Sequence, residues 1–276
     1  MNSNILKDTM AEMTWPEIEE MVNQKAIVLI PVGVIEEHGP HLPHGTDIFV
    51  AYTQAHDVWE HLKKKNIASV IAPPFYWGGI KALTRQFPGT FTSRPETIVA
   101  IVNDILASLD RAGFLKAILF NSHGDDLHIK ALHEALRESN QKLQLQTYWL
   151  EYEDDIKPHG LEEEQFVLPL SPVAFEEMFE LQGETKDPFD IHAGAFETAV
   201  MRECYPEMIR ENEICDLEPT LLHSDEQIRW NEGEPQDKYL ISKGYVGDPA
   251  SSKLVKSHLH DIDKKIAEDI ARYFAL

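Results

Sequence analysis

Eight consecutive apolar residues, Ala26 to Gly33, constrain the fold of this chain more than any other stretch. A run of that length without polar alternation suits a strand buried on both faces, as in a parallel sheet covered by helices on either side. Downstream, helix and strand patterns alternate. Ile48, Tyr52, Ala55, Trp59 and Leu62 recur at helical spacing and end in Lys63-Lys64-Lys65-Asn66, where basic side chains suit the negative end of a helix. Ala68 to Ala72 reads as the next strand, closed by Pro73-Pro74. Ser93 then caps a helix with Pro95 at a permitted early position and Ile98, Ile101, Val102, Ile105, Leu106 and Leu109 along one stripe, ended by Gly113. Lys116 to Phe120 is a strand, Leu127 to Asn140 a helix and Leu143 to Leu150 a strand. This alternation predicts an α/β fold of three layers, α/β/α, with a mostly parallel sheet whose ligands gather outside the carboxyl ends of the strands.

The remaining segments are less regular. Trp15 to Asn23 is a short N-terminal helix candidate, and Phe75 to Arg94 is a loop rich in glycine and aromatic residues, of a length usually kept for function. Glu151 to Asp190 breaks the alternation with acidic, proline-containing sequence and a helix expected around Val173 to Leu181; it reads as an insertion that covers the site or meets another subunit. Gly194 to Tyr205 is helical, Pro206 to Asp248 mostly irregular, and Val255, Leu259, Ile262, Ile266, Ile270 and Tyr273 mark a long terminal helix. With 276 residues and no repeat or flexible linker, residues 1–276 are expected to form one domain carrying the insertion at about 151–190.

Charge narrows the partners. The 25 basic and 47 acidic residues leave a net charge of −22, a field that repels nucleic acid and anionic lipid and favours divalent cations. Cys204 and Cys215 are the two cysteines, in no Cys-x-x-Cys arrangement, so neither a disulfide framework nor a thiolate zinc site is expected. The polar segment from Met1 to Trp15 lacks the apolar centre of a signal peptide, and the longest apolar run is too short to span a bilayer, so the expected location is the cytoplasm.

The apolar run delivers Glu36, His38, His41, His44 and Asp47 within twelve residues. In an extended exit, residues two apart face the same way, so Glu36 and His38 can point at one ion while Gly39-Pro40 turns the chain. Thr46-Asp47 then starts a helix, where a carboxylate is favoured by the backbone dipole. His123 lies at a second strand exit with Asp125 and Asp126 beside it, and a third cluster sets His192 just before a helix with Glu197 in its first turns. Two divalent ions held by such mixed carboxylate and imidazole ligands can lower the pKa of a shared water and polarise a carbonyl together, with a nearby histidine as proton donor. His41 and His44 are expected to support the ligands or fix the loop rather than bind metal, while His56, His61, His128 and His133 fall in helices and are expected to be structural.

Pro31-Val32-Gly33-x-x-Glu36-x-His38-Gly39-Pro40-His41-Leu42-Pro43-x-x-x-Asp47, Phe87-Pro88-Gly89-Thr90, Asn121-x-His123-Gly124, His192-Ala193-Gly194-x-x-Glu197-Thr198 and Gly244-Tyr245-Val246-Gly247-Asp248-Pro249 occur in this order over about residues 26–250. Together they resemble the creatininase (creatinine amidohydrolase) family. The resemblance implies an α/β hydrolase with one or two divalent ions, Zn, Mn or Fe, and a homo-oligomer, often a hexamer. It carries Glu36, His38, Asp47, His123 and Glu197 onto metal-site positions, with Asp47 as bridge and His192 as proton donor; Glu197 is also placed in the catalytic set. Asp125 becomes a further metal candidate, since creatininase has an acidic ligand at that place. Where members often carry Glu-His before Phe-Pro-Gly-Thr, this chain has Leu83-Thr84, with Lys81 and Arg85 close by. Lys81, Arg85 and Asp190 are therefore the expected substrate-binding residues.

The expected activity is hydrolysis of a carbon–nitrogen bond in a small cyclic or formylated amide, with creatinine itself doubtful because of the altered loop. A rival is hydrolytic carbon–carbon ring opening of a cyclic diketone such as a diketo-inositol, since the same centre can attack a ketone flanked by a second carbonyl. A third, from another class, is a catalytically silent relative that binds a metabolite.

Overall fold

The computed structural model describes residues 4–151, 159–161, 165–169, 179–181, 190–257 and 259–275. The apolar run forms β1 (Ile27–Val32), which is buried along its whole length. It pairs in parallel with β2 (Ser69–Ile71) on one side and β3 (Lys116–Asn121) on the other. β4 (Gln146–Glu151) and β5 (Val167–Pro169) continue the sheet, again in parallel, in the order β2-β1-β3-β4-β5.

Alternate residues of β1 serve opposite faces, the period of two that a strand imposes. Ile27 and Leu29 pack with Ala55, Val58 and Leu62 of α2 (Thr46–Lys64) and with Ile262 and Ile266 of α8 (Leu259–Tyr273). Val28, Ile30 and Val32 pack instead with Ile98, Val102 and Leu106 of α3 (Pro95–Ala112) and Ile129, Leu132 and Leu136 of α4 (Asp126–Lys142). Each such aliphatic side chain contributes roughly 1.5–3 kcal/mol when fully buried, so β1 anchors both layers. The expected α/β/α architecture is the observed one.

Several boundaries differ from the sequence expectations. α4 runs on to Lys142, and the next strand begins at Gln146 because Asp110 Oδ1 accepts the backbone N–H groups of Gln144 (2.9 Å) and Leu145 (2.7 Å), turning the chain first. Val255 belongs not to the terminal helix but to β7 (Val255–Ser257), which pairs antiparallel with β6 (Phe179–Leu181). Residues 173–178 of the helix expected around Val173 to Leu181 lie outside the described residues, and the last three residues of that span are β6. The stretch expected to be irregular holds α6 (Glu211–Ile214) and α7 (Ser224–Glu232), the latter closed by a left-handed Gly233. α7 has one buried residue, Trp230, and leaves Ile228 exposed, so it shows no apolar stripe from which to read a helix.

Strand order decides where a ligand can sit. β1 lies between β2 and β3, so the connection from β1 to β2 and that from β3 to β4 run to opposite sides and open a crevice between the two carboxyl ends. Val32 and Asn121 are paired across that point, so the segments beginning at Gly33 and Ser122 emerge side by side.

Candidate metal centre

Gly33 is the first residue beyond β1, and it is the place where α2 comes back against the strand exit. A Cβ there would lie 3.0 Å from Ile48 N and 3.1 Å from Asp47 Cβ, so the missing side chain lets the first turn of α2 approach. Between them the chain loops through Glu36 to His44, closed by Glu36 N donating to His44 O (2.9 Å). Glu36, His38 and Asp47 are all nearly inaccessible to solvent. From the neighbouring exit, Ser122 Oγ donates to Asp47 O and fixes the two segments together.

Two donor groups share one carboxylate. Asp47 Oδ2 is 3.0 Å from His123 Nδ1, which also lies 3.2 Å from Glu36 Oε2. Asp47 Oδ1 is 3.1 Å from His38 Nε2, which lies 3.6 Å from Glu197 Oε1. Glu36, Asp47 and His123 therefore form one candidate ligand set, and His38, Asp47 and Glu197 a second. Glu36, His38 and His192 also offer atoms within ligand range of one another.

The backbone fixes which atoms face inward. His38 Nδ1 donates to the carbonyl of Glu36 (2.9 Å), which turns Nε2 toward the carboxylates. Glu197 is held through its other oxygen, which accepts from Ala193 N at 2.5 Å. Ala193 itself has a positive φ of 50°, uncommon for a residue with a side chain and costly unless the surroundings enforce it. Enforcement comes from a bridge just before it: His192 N donates to Val246 O (3.0 Å) and Val246 N donates to His192 O (2.8 Å). The Gly-Tyr-Val-Gly-Asp segment thus fixes the position of His192.

His192 Nε2 donates to the Glu37 carbonyl (2.7 Å), and the ring stands between those of His38 (centroids 4.4 Å apart) and Trp230 (5.7 Å). Neither Trp230 nor Glu37 is marked out by the sequence. Trp230 lies in a helix without an apolar pattern, while Glu37 sits between two ligands and reads as their spacer. Glu37 is buried beneath Gly244, where a Cβ would come within 2.1 Å of its Oε2, and burial pushes its carboxyl up to about 7 against the opposing charge of His192. Its Oε2 accepts from Gly39 N (3.1 Å), closing the turn between the ligands.

Electrostatics test whether metal ions fit. Burial alone would push the Glu36 carboxyl up, but the charges of His123 and His192 outweigh it and bring it down to about 2. Burial would likewise push His38 and His123 down; the surrounding carboxylates, Asp47 and Glu197 for His38 and Glu36 and Asp47 for His123, instead hold both well above the usual histidine range. Protons on the imidazoles thus balance carboxylates that a cation would otherwise balance. Glu36 Oε2, Asp47 Oδ2 and His123 Nε2 are buried without a hydrogen-bond partner of acceptable geometry. Buried carboxylates and imidazoles whose polar atoms are left unpaired form a donor set suited to divalent ions.

The other expected residues fall outside this arrangement. Asp125 does not face it: Oδ1 caps α4 by accepting from Leu127 N (2.8 Å), and Oδ2 accepts from Lys81 N (2.8 Å) and Ala82 N (2.9 Å). A carboxylate at a helix N-terminus is satisfied by backbone donors, which is the physical reason it is not drawn into the metal sets. Lys81 lines a groove between α3 and α4 with Glu96, Asn103, Asp126 and Lys130, and Arg85 Nε donates to Gly233 O (3.1 Å). Asp190 accepts from Phe196 N in the first turn of α5 (Ala195–Cys204). His41 Nε2 bonds Thr198 Oγ1 (2.8 Å) and His44 Nε2 donates to Pro88 O (3.0 Å), the supporting roles expected of them. His128 Nε2 donates to Asn121 Oδ1 (3.1 Å), and Asn121 Nδ2 donates to His123 O (2.9 Å), bracing the exit of β3.

Comparison with known proteins identifies relatives of the chain. A family model described as "Creatininase: Creatinine amidohydrolase" matches residues 11–269. The chain is 26% identical to the 3-dehydro-scyllo-inosose hydrolase of Thermotoga maritima over an alignment 285 positions long, covering 95% of this chain and 83% of that protein. It is 26% identical to the creatinine amidohydrolase of Pseudomonas putida over 223 residues, 75% and 76% of the two chains. Among solved structures, creatininase superposes with a TM-score of 0.71 at 21% identity over 98% of both chains, and its neighbours include a manganese form and a zinc–zinc form of a variant. The family match spans most of the sequence and the fold is shared along the whole chain, so this protein belongs to the creatininase family.

Proposed function

We propose that the protein is a divalent-metal-dependent hydrolase acting on a small cyclic carbonyl compound, with the carbon–nitrogen bond of a cyclic or formylated amide as the bond cleaved. The observation that carries this reading is Asp47, whose two oxygens face separate donor sets. Zinc or manganese suits the mixture of carboxylate and imidazole donors, and both occur in the creatininase structures that share this fold. Ions bound there would supply an activated water and polarise the substrate carbonyl.

The remaining work falls to this chain's own side chains. Glu36, Asp47 and His123 would hold one ion, and His38, Asp47 and Glu197 a second. His192 donates from Nε2 to the Glu37 carbonyl, which leaves Nδ1 to accept a proton and return it to the leaving group. The bridge to Val246 and the ring of Trp230 keep that imidazole in one orientation. Arg85 Nε is engaged by Gly233 O, so the stronger reason to disfavour creatinine is the replacement of Glu-His by the buried Leu83-Thr84.

A second reading is hydrolytic carbon–carbon cleavage of a cyclic diketone. It is supported by the relative aligned over nearly the whole chain, a 3-dehydro-scyllo-inosose hydrolase. Elemental analysis of the purified protein, followed by assays with creatinine, lactams, formylated heterocycles and keto-inositols, tests both. Bound metal with turnover of a lactam or formyl amide supports the first reading, and turnover of keto-inositols alone supports the second. Bound metal with no turnover would instead make the chain a metabolite-binding relative. We further infer a homo-oligomer, a hexamer by family resemblance, working in the cytoplasm. Exposed Trp77 and Phe91, whose rings meet edge-on 5.7 Å apart, offer apolar surface for such association.

A further inference from the structure

Away from the metal centre, α8 buries a carboxyl group against α2. Asp263 is 0% exposed, and neither of its side-chain oxygens has a hydrogen-bond partner of acceptable geometry. Asp57 of α2 is almost as deeply buried and adds its charge to the same interface. The imidazole of His260, one helical turn before Asp263, faces Asp57, with Nδ1 2.7 Å from Asp57 Oδ2. His56 Nδ1 stands 3.9 Å from the other Asp57 oxygen.

Asp263 faces no imidazole or other cation of this kind among the described side chains. From α2 it meets Asp57, whose charge opposes ionisation, and the Gln54 side chain, whose polar contact favours it but does not outweigh burial. From α5 it meets Cys204, whose thiol burial pushes up to about 12, so that it stays neutral. Neighbouring Glu203 is a further carboxyl, and on α8 itself His260 is engaged by Asp57 while Lys264 acts on His61. Two buried carboxylates without a cation between them cannot both ionise cheaply, whereas a neutral acid opposite one carboxylate can be accommodated.

We propose that Asp263 is a proton-binding site of the folded protein, and that losing its proton loosens α8 from α2. Burial, followed by the Asp57 charge, holds its carboxyl well above the usual range, in keeping with this geometry. The folded chain therefore binds a proton that the unfolded chain, with a carboxyl near 3.9, has already released. Stability from this group is present below about pH 4 and is lost as pH rises toward the folded value. Asp57 lies ten residues along α2 from Asp47, about 15 Å at helical rise, so the latch holds the far end of the helix whose first turn enters the metal centre.

The test is the thermal unfolding midpoint of the full chain between pH 5 and pH 9, roughly the range in which a raised carboxyl would titrate, for wild type and Asp263→Asn. The wild-type midpoint should fall relative to that of Asp263→Asn by about 3 °C or more over that range. Parallel curves would overturn the proposal. A gap that closes when millimolar magnesium or calcium chloride is added, in wild type but not in the variant, would also overturn it, by showing a cation site instead. If Asp263→Asn does not fold, Asp57→Asn serves: a smaller alkaline loss than wild type supports the proton site, and an equal loss rejects it.

Discussion

At the scale of single residues, one carboxylate does most to define the centre. Asp47 faces both donor sets, so Asp47→Ala should leave a folded protein that has lost its metal, measured by elemental analysis after gel filtration. His192 contributes differently, because its ring is fixed by the Glu37 carbonyl and the Val246 bridge rather than by the carboxylates alone. His192→Ala should therefore retain metal while turnover falls by about two orders of magnitude or more, the usual scale for a positioned acid–base group. Loss of metal in that variant would make His192 a ligand. Glu36 gives a pH prediction with a definite sign. Its folded-state carboxyl, about 2, lies below the unfolded value of about 4.3, so its contribution is present above that value and is lost as pH falls toward 2. In metal-free protein, acid unfolding followed by circular dichroism should begin between these limits, and Glu36→Gln should flatten that limb. Glu36, His38, Asp47, His123 and Glu197 stand out in the sequence as candidate ligands because each sits at a strand exit or in the first turn of a helix, where local geometry aims the side chain. Asp125 has the same signature. Its carboxylate is taken instead by the N–H groups of Lys81, Ala82 and Leu127, from a loop whose path the local sequence does not specify.

At the scale of elements, the segment around α7 is strapped to the loop after β2. Gly233 O accepts from both Arg85 Nε (3.1 Å) and Gln86 Nε2 (2.7 Å), and Lys238 Nζ donates to Gln86 O (3.0 Å) while lying 4.0 Å from the Phe87 ring centre. These contacts hold Trp230 against His192, which gives Arg85 a role in placing the wall of the site. Gly233 has φ of +67°, and a Cβ there would fall 1.9 Å from the carbonyl oxygen of Lys81. Gly233→Ala should therefore cost about 1–3 kcal/mol in urea unfolding, from left-handed backbone strain together with the clash. Unchanged stability would mean that the strap yields. Helices with a continuous apolar stripe, such as α3, were legible from spacing alone. α7 was not, because it is fixed by one tryptophan, a glycine cap and polar bonds to a distant loop.

At the scale of the whole molecule, a net charge of −22 sets how copies of the chain meet. Light scattering at micromolar concentration should give an oligomer, a hexamer under the family reading, that weakens at low salt, since like-charged subunits repel more strongly when screening is reduced. A monomer at all salt concentrations would reject this. Among the described residues no helix is long and apolar enough to cross a membrane. The sequence by itself determined the layered α/β plan, because a strand buried on both faces must be apolar throughout and a covering helix must carry an apolar stripe. It also determined which residues could ligate metal, since ligand chemistry belongs to side-chain type. Tertiary structure alone decided the pairing of those residues. The strand order 2-1-3 brings the exits of β1 and β3 together, the bridge at Val246 brings His192 to them, and backbone donors withdraw Asp125. These outcomes depend on contacts between residues far apart in the chain, whose distances no local pattern of apolar spacing encodes.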